Sequence, residues 1–393
     1  MSAAAPLDAA GGARRPQPAP GARPAPRTRA RAAAVFSVVR AAPVARRPAS
    51  PPACEESPWR SHTATSWPES CETGRTMSIA PYLKEIGRGR EGARPLSEAQ
   101  ASDLFEQVLD GRVGAAEMGA FAIAMRIKGE TTDELAGFTA VAEERSLALA
   151  SAVPAVLLPS YNGARKLPNL TPLLSLLLAQ EGVPVLVHGP THDPARVTTY
   201  EMFHALGLPV ALDAAGVHAA WARHEPVFVP TGVLCPALLP LLELRWQIGL
   251  RNPAHTVAKL LAPRGIASLR VVNYTHPEYG GAHAQFLQHT RAHAMLMRGT
   301  EGEPVADPRR LPRMDVYLGG TLRPELSRPA LEGVLTELPL LPRAIDAATT
   351  AVYVQAVVSG EKPAPTPLLE QVEMLVRAQR AMQQMGATHE LSA

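Results

Sequence analysis

The chain is expected to fold as an α/β protein in which a small all-helical N-terminal domain is hinged to a larger α/β domain with a mostly parallel central sheet. Three observations predict this. From Pro95 to Leu147 the apolar residues recur at helix spacing, and beyond Val153 short β-compatible runs alternate with helical stretches. A length of 393 residues with 46% hydrophobic and 19% charged residues is enough for two domains with a real core.

Residues 1–76 stand outside that core. They consist of Ala, Pro, Arg, Ser and Gly, with eleven Arg, no Lys and five acids, and they lack the apolar periodicity that offsets ordering entropy. Disorder is expected. The segment reads either as an arginine-rich arm or as a stretch upstream of a true start at Met77; Val35–Val39 is too short for a secretory signal or a membrane span.

The helical domain is expected over 77–147. Ser97 caps a first helix whose Leu104, Phe105, Val108 and Leu109 share a face until Asp110-Gly111 ends it. A second runs from Ala115 to Lys128, with Met118, Phe121, Ala122 and Met125 on one side, and Thr132 is read as the cap of a third. The α/β domain, 148–393, opens with the strand Val156–Leu158. Further strands are expected at Val183–Val187, Pro226–Val229, Ser268–Asn273 and Ala294–Met297. Helices fall between them at Thr198–Leu206, Ala214–Arg223, Pro236–Ile248 and Gly281–His293. Two more, Arg343–Ser359 and Thr366–Met385, close the chain.

The stretch after the first strand carries the strongest chemical signal. Ser160-Tyr161-Asn162-Gly163 ends the strand as a turn, and Arg165 and Lys166 follow at once. Thr171 is read as the N-cap of a helix with Pro172 at its first position. Adjacent cations beside a helix N-terminus form an anion site, and phosphate is its natural guest. Asn169 and Thr171 serve there either as a phosphate cradle or as caps.

Charge supports a basic middle. The net charge is +3, but Met77 onward holds 28 basic and 31 acidic residues, so global basicity argues for nothing. Arg165–Arg323 alone has 15 bases against 11 acids. Within it Arg245, Arg251, Lys259, Arg264 and Arg270 follow a single acid, Glu243. With Trp246 they form a stripe able to track a phosphate backbone and stack a base, unless Trp246 is core packing. Helical spacing turns Arg245 and Trp246 in different directions. Arg309, Arg310 and Arg313, broken by Pro308 and Pro312, read as a solvated loop. Cys54 and Cys71 lie in the extension and Cys235 in the core, which makes no disulfide or thiolate metal framework. The spacing of His283, His289 and His293 on one expected helix does not bring three ligands to one face. His188, at a strand end, is expected to bond backbone.

At Leu96-Ser97-Glu98-Ala99, Leu109-Asp110-Gly111-Arg112-Val113, Gly119-Ala120-Phe121 and Ala124-Met125-Arg126-Ile127-Lys128-Gly129-Glu130-Thr131 the chain resembles anthranilate phosphoribosyltransferase and the pyrimidine-nucleoside phosphorylases. The resemblance runs from Met77 almost to the C-terminus. It implies that fold, a dimerising helical domain, and a hinge-crossing segment near 236–262.

The catalytic motifs do not carry over. The diphosphate-binding G-T-G-G-D loop is Ser160-Tyr161-Asn162-Gly163-Ala164 here. The N-I-S-T turn is Pro168-Asn169-Leu170-Thr171, and the K-H-G-N run is Val187-His188-Gly189-Pro190. The acidic pair that holds Mg²⁺ in those enzymes is answered only by Glu301-Gly302-Glu303. Little remains to stabilise a leaving diphosphate.

The pattern NGARKLPNLTPLL with VPVLVHG, THPEY at Thr275–Tyr279 and RGTEGEP at Arg298–Pro304 is similar to the YbiB group. That similarity implies sequence-independent binding of nucleic acid, DNA and also RNA, by a homodimer through basic grooves, with no enzymatic activity and so no catalytic residue. With no signal or span read in the sequence the cytoplasm is the default, and no cofactor, metal or membrane contact is expected. The candidate contacts are Arg165, Lys166, Asn169, Thr171, Arg245, Trp246, Arg251, Lys259, Arg264 and Arg298. The rival expectation is an active phosphoribosyltransferase or nucleoside phosphorylase with an altered substrate.

Overall fold

In the computed structural model of the protein, residues 78–390 are described, with side chains described to 386; the Arg-rich extension, with Cys54 and Cys71, lies outside them. The helical domain opens with α1 (Ala80–Ile86), followed by α2 (Glu98–Leu109), α3 (Ala115–Lys128) and α4 (Thr132–Glu144). Ser97 caps α2 as expected and does so through a capping box with Gln100. The cap of α4 is Thr131 rather than Thr132. Thr131 pairs reciprocally with Glu134 three residues on, which is the geometry a Thr-x-x-Glu box requires. Phe105, Phe121 and Phe138 meet at the centre with ring centroids 4.7–6.4 Å apart.

The α/β domain follows: β1 (Ala155–Pro159), α5 (Thr171–Gln180), β2 (Val185–Gly189), α6 (Thr199–Leu206), α7 (Ala214–Ala222) and β3 (Val227–Pro230). After a 3₁₀ turn at Pro236–Leu238 come α8 (Leu239–Ile248) and α9 (Ala254–Leu260). Then β4 (Ser268–Tyr274), α10 (Glu278–His289), β5 (Ala294–Arg298), β6 (Met314–Leu318), β7 (Thr321–Leu322), α11 (Ala347–Val358) and α12 (Thr366–Glu390) complete the chain. The seven strands lie in the order β3-β2-β1-β4-β5-β6-β7. The first five pair in parallel and the last two antiparallel.

The strands from β1 to β5 match the sequence expectation to within two residues at each end. The β6–β7 hairpin lies beyond it. The proline-rich approach through Pro308 and Pro312 disguises the hairpin, although Gly319 and Gly320 at φ 58° and 76° supply its turn. Proline also moves two helix starts. α10 begins straight after Pro277, ahead of Gly281, and ends at His289, so His293 is off the helix; α11 begins after its cap Asp346, past Pro342.

β1 has β2 on one side and β4 on the other, so chain order reverses direction there, and the crevice outside the carboxyl ends of β1 and β4 is the place such sheets offer a ligand. The segment 236–262 packs on the helical domain: Leu238, Leu241, Val257 and Ala258 share one buried cluster with Phe105 and Phe138. Backbone bonds Leu147 N–H to Leu234 O (2.7 Å) and Leu149 N–H to Arg264 O (2.9 Å) stitch the two parts. Among the described residues no helix is long and apolar enough to cross a membrane.

Candidate functional site

The buried polar network collects at the carboxyl edge of the parallel strands. The loop leaving β1 passes so close to the end of β2 that a Cβ on Gly189 would lie 1.9 Å from the Ser160 carbonyl oxygen, so only glycine fits. Gly163 takes φ 68° to turn the loop back. The loop then presents its amide N–H groups inward.

Those amides are not empty. The buried Glu303 carboxylate accepts the N–H groups of Asn162 and Gly163, both at 2.7 Å, and the Thr171 hydroxyl at 3.3 Å; Ser160 Oγ also donates to it. Glu301 accepts from the N–H of Arg165 (2.9 Å), Lys166 (3.1 Å) and Leu167 (3.4 Å). The loop amides therefore hold anions, and those anions are the protein's own two carboxylates. Carboxylates committed to amide and hydroxyl donors do not offer the lone pairs a Mg²⁺ ion requires, so the acid pair does not fit a magnesium diphosphate. Among the described residues no group of three or more His, Cys, Asp or Glu is placed to hold a metal.

The start of α5 corrects the sequence expectation. Leu170 is the N-cap and Thr171 is the first helical residue, so the Thr171 hydroxyl is free to reach Glu303. Asn169 takes over local capping, accepting the Thr171 N–H at 3.2 Å and donating to Thr199 Oγ1 at 2.8 Å. Both side chains are buried. The two act as internal struts of the loop.

Lys259 is likewise internal. Its Nζ donates to the Gly302 carbonyl at 3.1 Å. Burial pulls its ammonium down to about 8, against Glu303, which favours the charge, and with Arg251 and Arg196, which oppose it.

Beside this sealed loop lies an open cleft of about 520 Å³, lined among others by Tyr161, Asp193, Thr231, Glu243, Arg245, Trp246 and His255. Its floor is a buried column in which Tyr161 Oη meets His188 Nδ1 at 3.0 Å and Thr231 donates to Tyr161 Oη at 3.3 Å. His188 thus bonds a side chain, not the backbone, and burial lowers it to about 3, so it is neutral. Trp246 is 55% exposed, which removes the core-packing alternative. Arg245 and Trp246 do not diverge: the Arg245 guanidinium lies over the indole, 4.4 Å from its centroid, with Asp193 at 3.9 Å.

Arg251 feels several other cations. Burial lowers its guanidinium most, and Arg245, Arg196 and Arg126 lower it further, with Asp193 alone opposing. Neighbouring His255 is driven to about 3 by burial and by Arg251, Arg245 and Lys259. Four arginines from three regions of the chain thus converge: Arg126 from α3, Arg196 from the loop after β2, and Arg245 and Arg251 from around the end of α8.

Other expected contacts scatter. Arg165 and Lys166 keep exposed side chains, and Arg298 is exposed at the end of β5. Arg264 spends its Nε on the Ser146 carbonyl at 3.2 Å and serves the hinge. Arg309 pairs with Asp307 and Arg313 with Asp315. Sequence reading missed Arg126 and Arg196. The signal for Arg196 was its position just past a strand's carboxyl end; Arg126 is placed only by domain packing.

Residues 80–146 match the model for the glycosyl transferase family helical bundle domain. Over 296 residues the chain is 40% identical to YbiB of Escherichia coli (strain K12), covering 74% of this chain and 91% of that protein. It is 27% identical to anthranilate phosphoribosyltransferase of Paramagnetospirillum magneticum (strain ATCC 700264 / AMB-1) over 295 residues, 73% and 85% of the two chains. Among solved structures, anthranilate phosphoribosyltransferase from Thermus thermophilus superposes with a TM-score of 0.58 at 20% identity, covering 77% of this chain and 89% of that one. The Saccharomyces cerevisiae enzyme in complex with PRPP and Mg gives 0.56 at 12%, covering 78% and 88%. At those identities the structures speak to fold.

Proposed function

Because the chain belongs to the YbiB family, on the scaffold of the anthranilate phosphoribosyltransferases, we propose that it is a non-enzymatic, sequence-independent nucleic-acid-binding protein. Its ligand is nucleic acid, DNA first and RNA second, held in the cleft by phosphate contacts and counterion release. The observation that carries this reading is Arg245 lying over an exposed Trp246 in the lining of the cleft, with Arg251, whose charge feels Arg245, Arg196 and Arg126, nearby. Cations that outnumber the carboxylates near them attract a polyanion, and an open indole offers a base a stacking face.

The enzymatic alternative is disfavoured by Glu301 and Glu303, which consume the amide donors a diphosphate would need. Homodimerisation in the cytoplasm completes the proposal. Leu83, Ile86, Ile123 and Ile127 line an apolar hollow on the helical domain, with Ile127 55% exposed, and self-association would cover it.

Fluorescence anisotropy with mixed-sequence DNA and RNA oligonucleotides at two salt concentrations tests the reading. Affinity should fall steeply with salt, each neutralised phosphate adding about −0.7 to −0.9 to the log–log slope. A flat response sinks it. Calorimetric titration with phosphoribosyl pyrophosphate and Mg²⁺ should show no heat, and saturable binding there would restore the transferase reading.

A further inference from the structure

Tyr279, the second residue of α10, is 47% exposed, yet neighbouring rings brace it. The His283 ring stacks on it with centroids 6.4 Å apart and planes inclined by only 28°, and the His276 ring lies 6.3 Å away at 58°. The first turn of α10 is pressed onto Tyr274: a Cβ on Gly280 would lie 3.2 Å from that ring. A Cβ on Gly281 would meet nothing within 4 Å, so the surface beside Tyr279 is unobstructed. A lone exposed ring is ordinary. A ring braced by two others is already oriented, so a partner that stacks on it need not order it first.

The sheet sets Tyr279 on the same edge as the cleft. Pro190 and Thr231, which follow β2 and β3, line the cleft, and α10 follows β4, two strands from β2 and three from β3. Strand spacing puts the two places roughly 10–15 Å apart along the carboxyl edge. Positive charge runs between them. His283 feels Lys259, Lys259 feels Arg251, and Arg251 feels Arg245, whose guanidinium lies over Trp246. On the next strand, exposed Arg298 stands opposite Tyr274 in register. Glu278 is the only acid between Asn273 and His289.

We propose that Tyr279 is a second base-stacking platform, and that a single strand of nucleic acid lies along the carboxyl edge with one unpaired base on Trp246 and another on Tyr279. At about 3.4 Å per stacked nucleotide the two bases are roughly three to four nucleotides apart. The phosphates between them lie in the field of Arg245 and Arg251, and Arg298 takes one beyond Tyr279. Every base has a π-face, so two platforms are compatible with sequence-independent binding. The bases of a duplex are already stacked on one another, so the second platform favours an unpaired strand. It rests on the nucleic-acid reading of the cleft and adds to that reading a ligand class and a path across the sheet edge.

The test compares Tyr279→Leu, which keeps the bulk and loses the ring, with Tyr279→Phe, which keeps the ring, in the full chain. By fluorescence anisotropy the leucine variant should bind a mixed-sequence single strand roughly ten-fold more weakly and a duplex less than about three-fold more weakly. The phenylalanine variant should bind both as wild type does. The salt slope should be the same in all three proteins, because no charge changes. Wild-type affinity in Tyr279→Leu overturns the proposal. So does an equal loss in Tyr279→Phe, which would assign the effect to the hydroxyl, or an equal loss on duplex. Thermal unfolding reports whether each variant is folded. Photocrosslinking of an iodouracil-substituted single strand to the unsubstituted protein should mark peptides containing Trp246 and Tyr279, and absence of the Tyr279 crosslink overturns the proposal with no variant involved. If wild type binds with a steep salt slope and Tyr279→Leu does too, undiminished, only the second platform falls. If wild type binds no nucleic acid, the reading of the cleft falls with it.

Discussion

The Glu303 carboxylate accepts the backbone N–H of Gly163 at 2.7 Å across 140 positions of sequence. That bond joins the loop after β1 to the turn after β5, and it makes the loop part of the core. Replacing Glu303 by Ala would strand the N–H groups of Asn162 and Gly163 in a buried site, each costing roughly 1–3 kcal/mol. Urea unfolding should show a loss of about 4 kcal/mol for Glu303→Ala and a smaller one for Glu303→Gln. A loss under about 1 kcal/mol for the alanine variant would mean that the network contributes little.

Arg251→Glu should weaken oligonucleotide binding more than ten-fold at low salt and shallow the salt dependence by about one to two units of log–log slope, since it both removes a cation and opposes Arg196 and Arg245. Arg264→Ala, whose guanidinium serves the Ser146 carbonyl, should leave the slope unchanged. If the two variants behave alike, the charge that matters is not in the cleft.

The exposed indole makes a strand-specific prediction. Base–aromatic stacking contributes about 1–3 kcal/mol per base on single strands. Trp246→Ala should therefore weaken single-stranded binding by roughly ten-fold or more and duplex binding much less. Equal losses on both substrates would reduce Trp246 to a platform for Arg245, which lies 4.4 Å over its ring.

Acid should destabilise the fold through its buried histidines. The native pKa of His188 is lowered to about 3 by burial, whereas an unfolded histidine titrates near 6.5. The unfolded chain therefore binds the extra proton below that value. The stabilisation is present above about pH 6.5 and is lost as pH falls towards 3, about 2 kcal/mol of it between roughly pH 7 and pH 5. His188→Asn, which can still accept from Tyr161, should flatten that part of the stability curve. An unchanged acid slope would place the proton elsewhere, His255 being next in line.

Residues whose role depends on their immediate neighbours are legible in the sequence. Ser97 announces α2 because a capping box closes within three residues, and Ser268–Asn273 announces β4 because its β-branched and apolar run is bounded by turn residues. Thr171 misleads because Thr-Pro is also compatible with a start one residue earlier, and only the pull of Glu303 on its hydroxyl distinguishes the two. The β6–β7 hairpin is hidden by its proline-rich surroundings.

The anion loop shows where local reading stops. Sequence by itself determined the two-part α/β architecture, the basic middle of the chain and the presence of a turn suited to an anion, because periodicity, composition and turn chemistry are properties of short windows. Only the tertiary structure decided that Glu301 and Glu303 fill the amides of that turn and that Arg251 feels the charges of Arg126, Arg196 and Arg245 from distant parts of the chain. The physical reason is the parallel sheet, which brings the carboxyl ends of strands far apart in the chain to a common edge, where charges distant in sequence become neighbours.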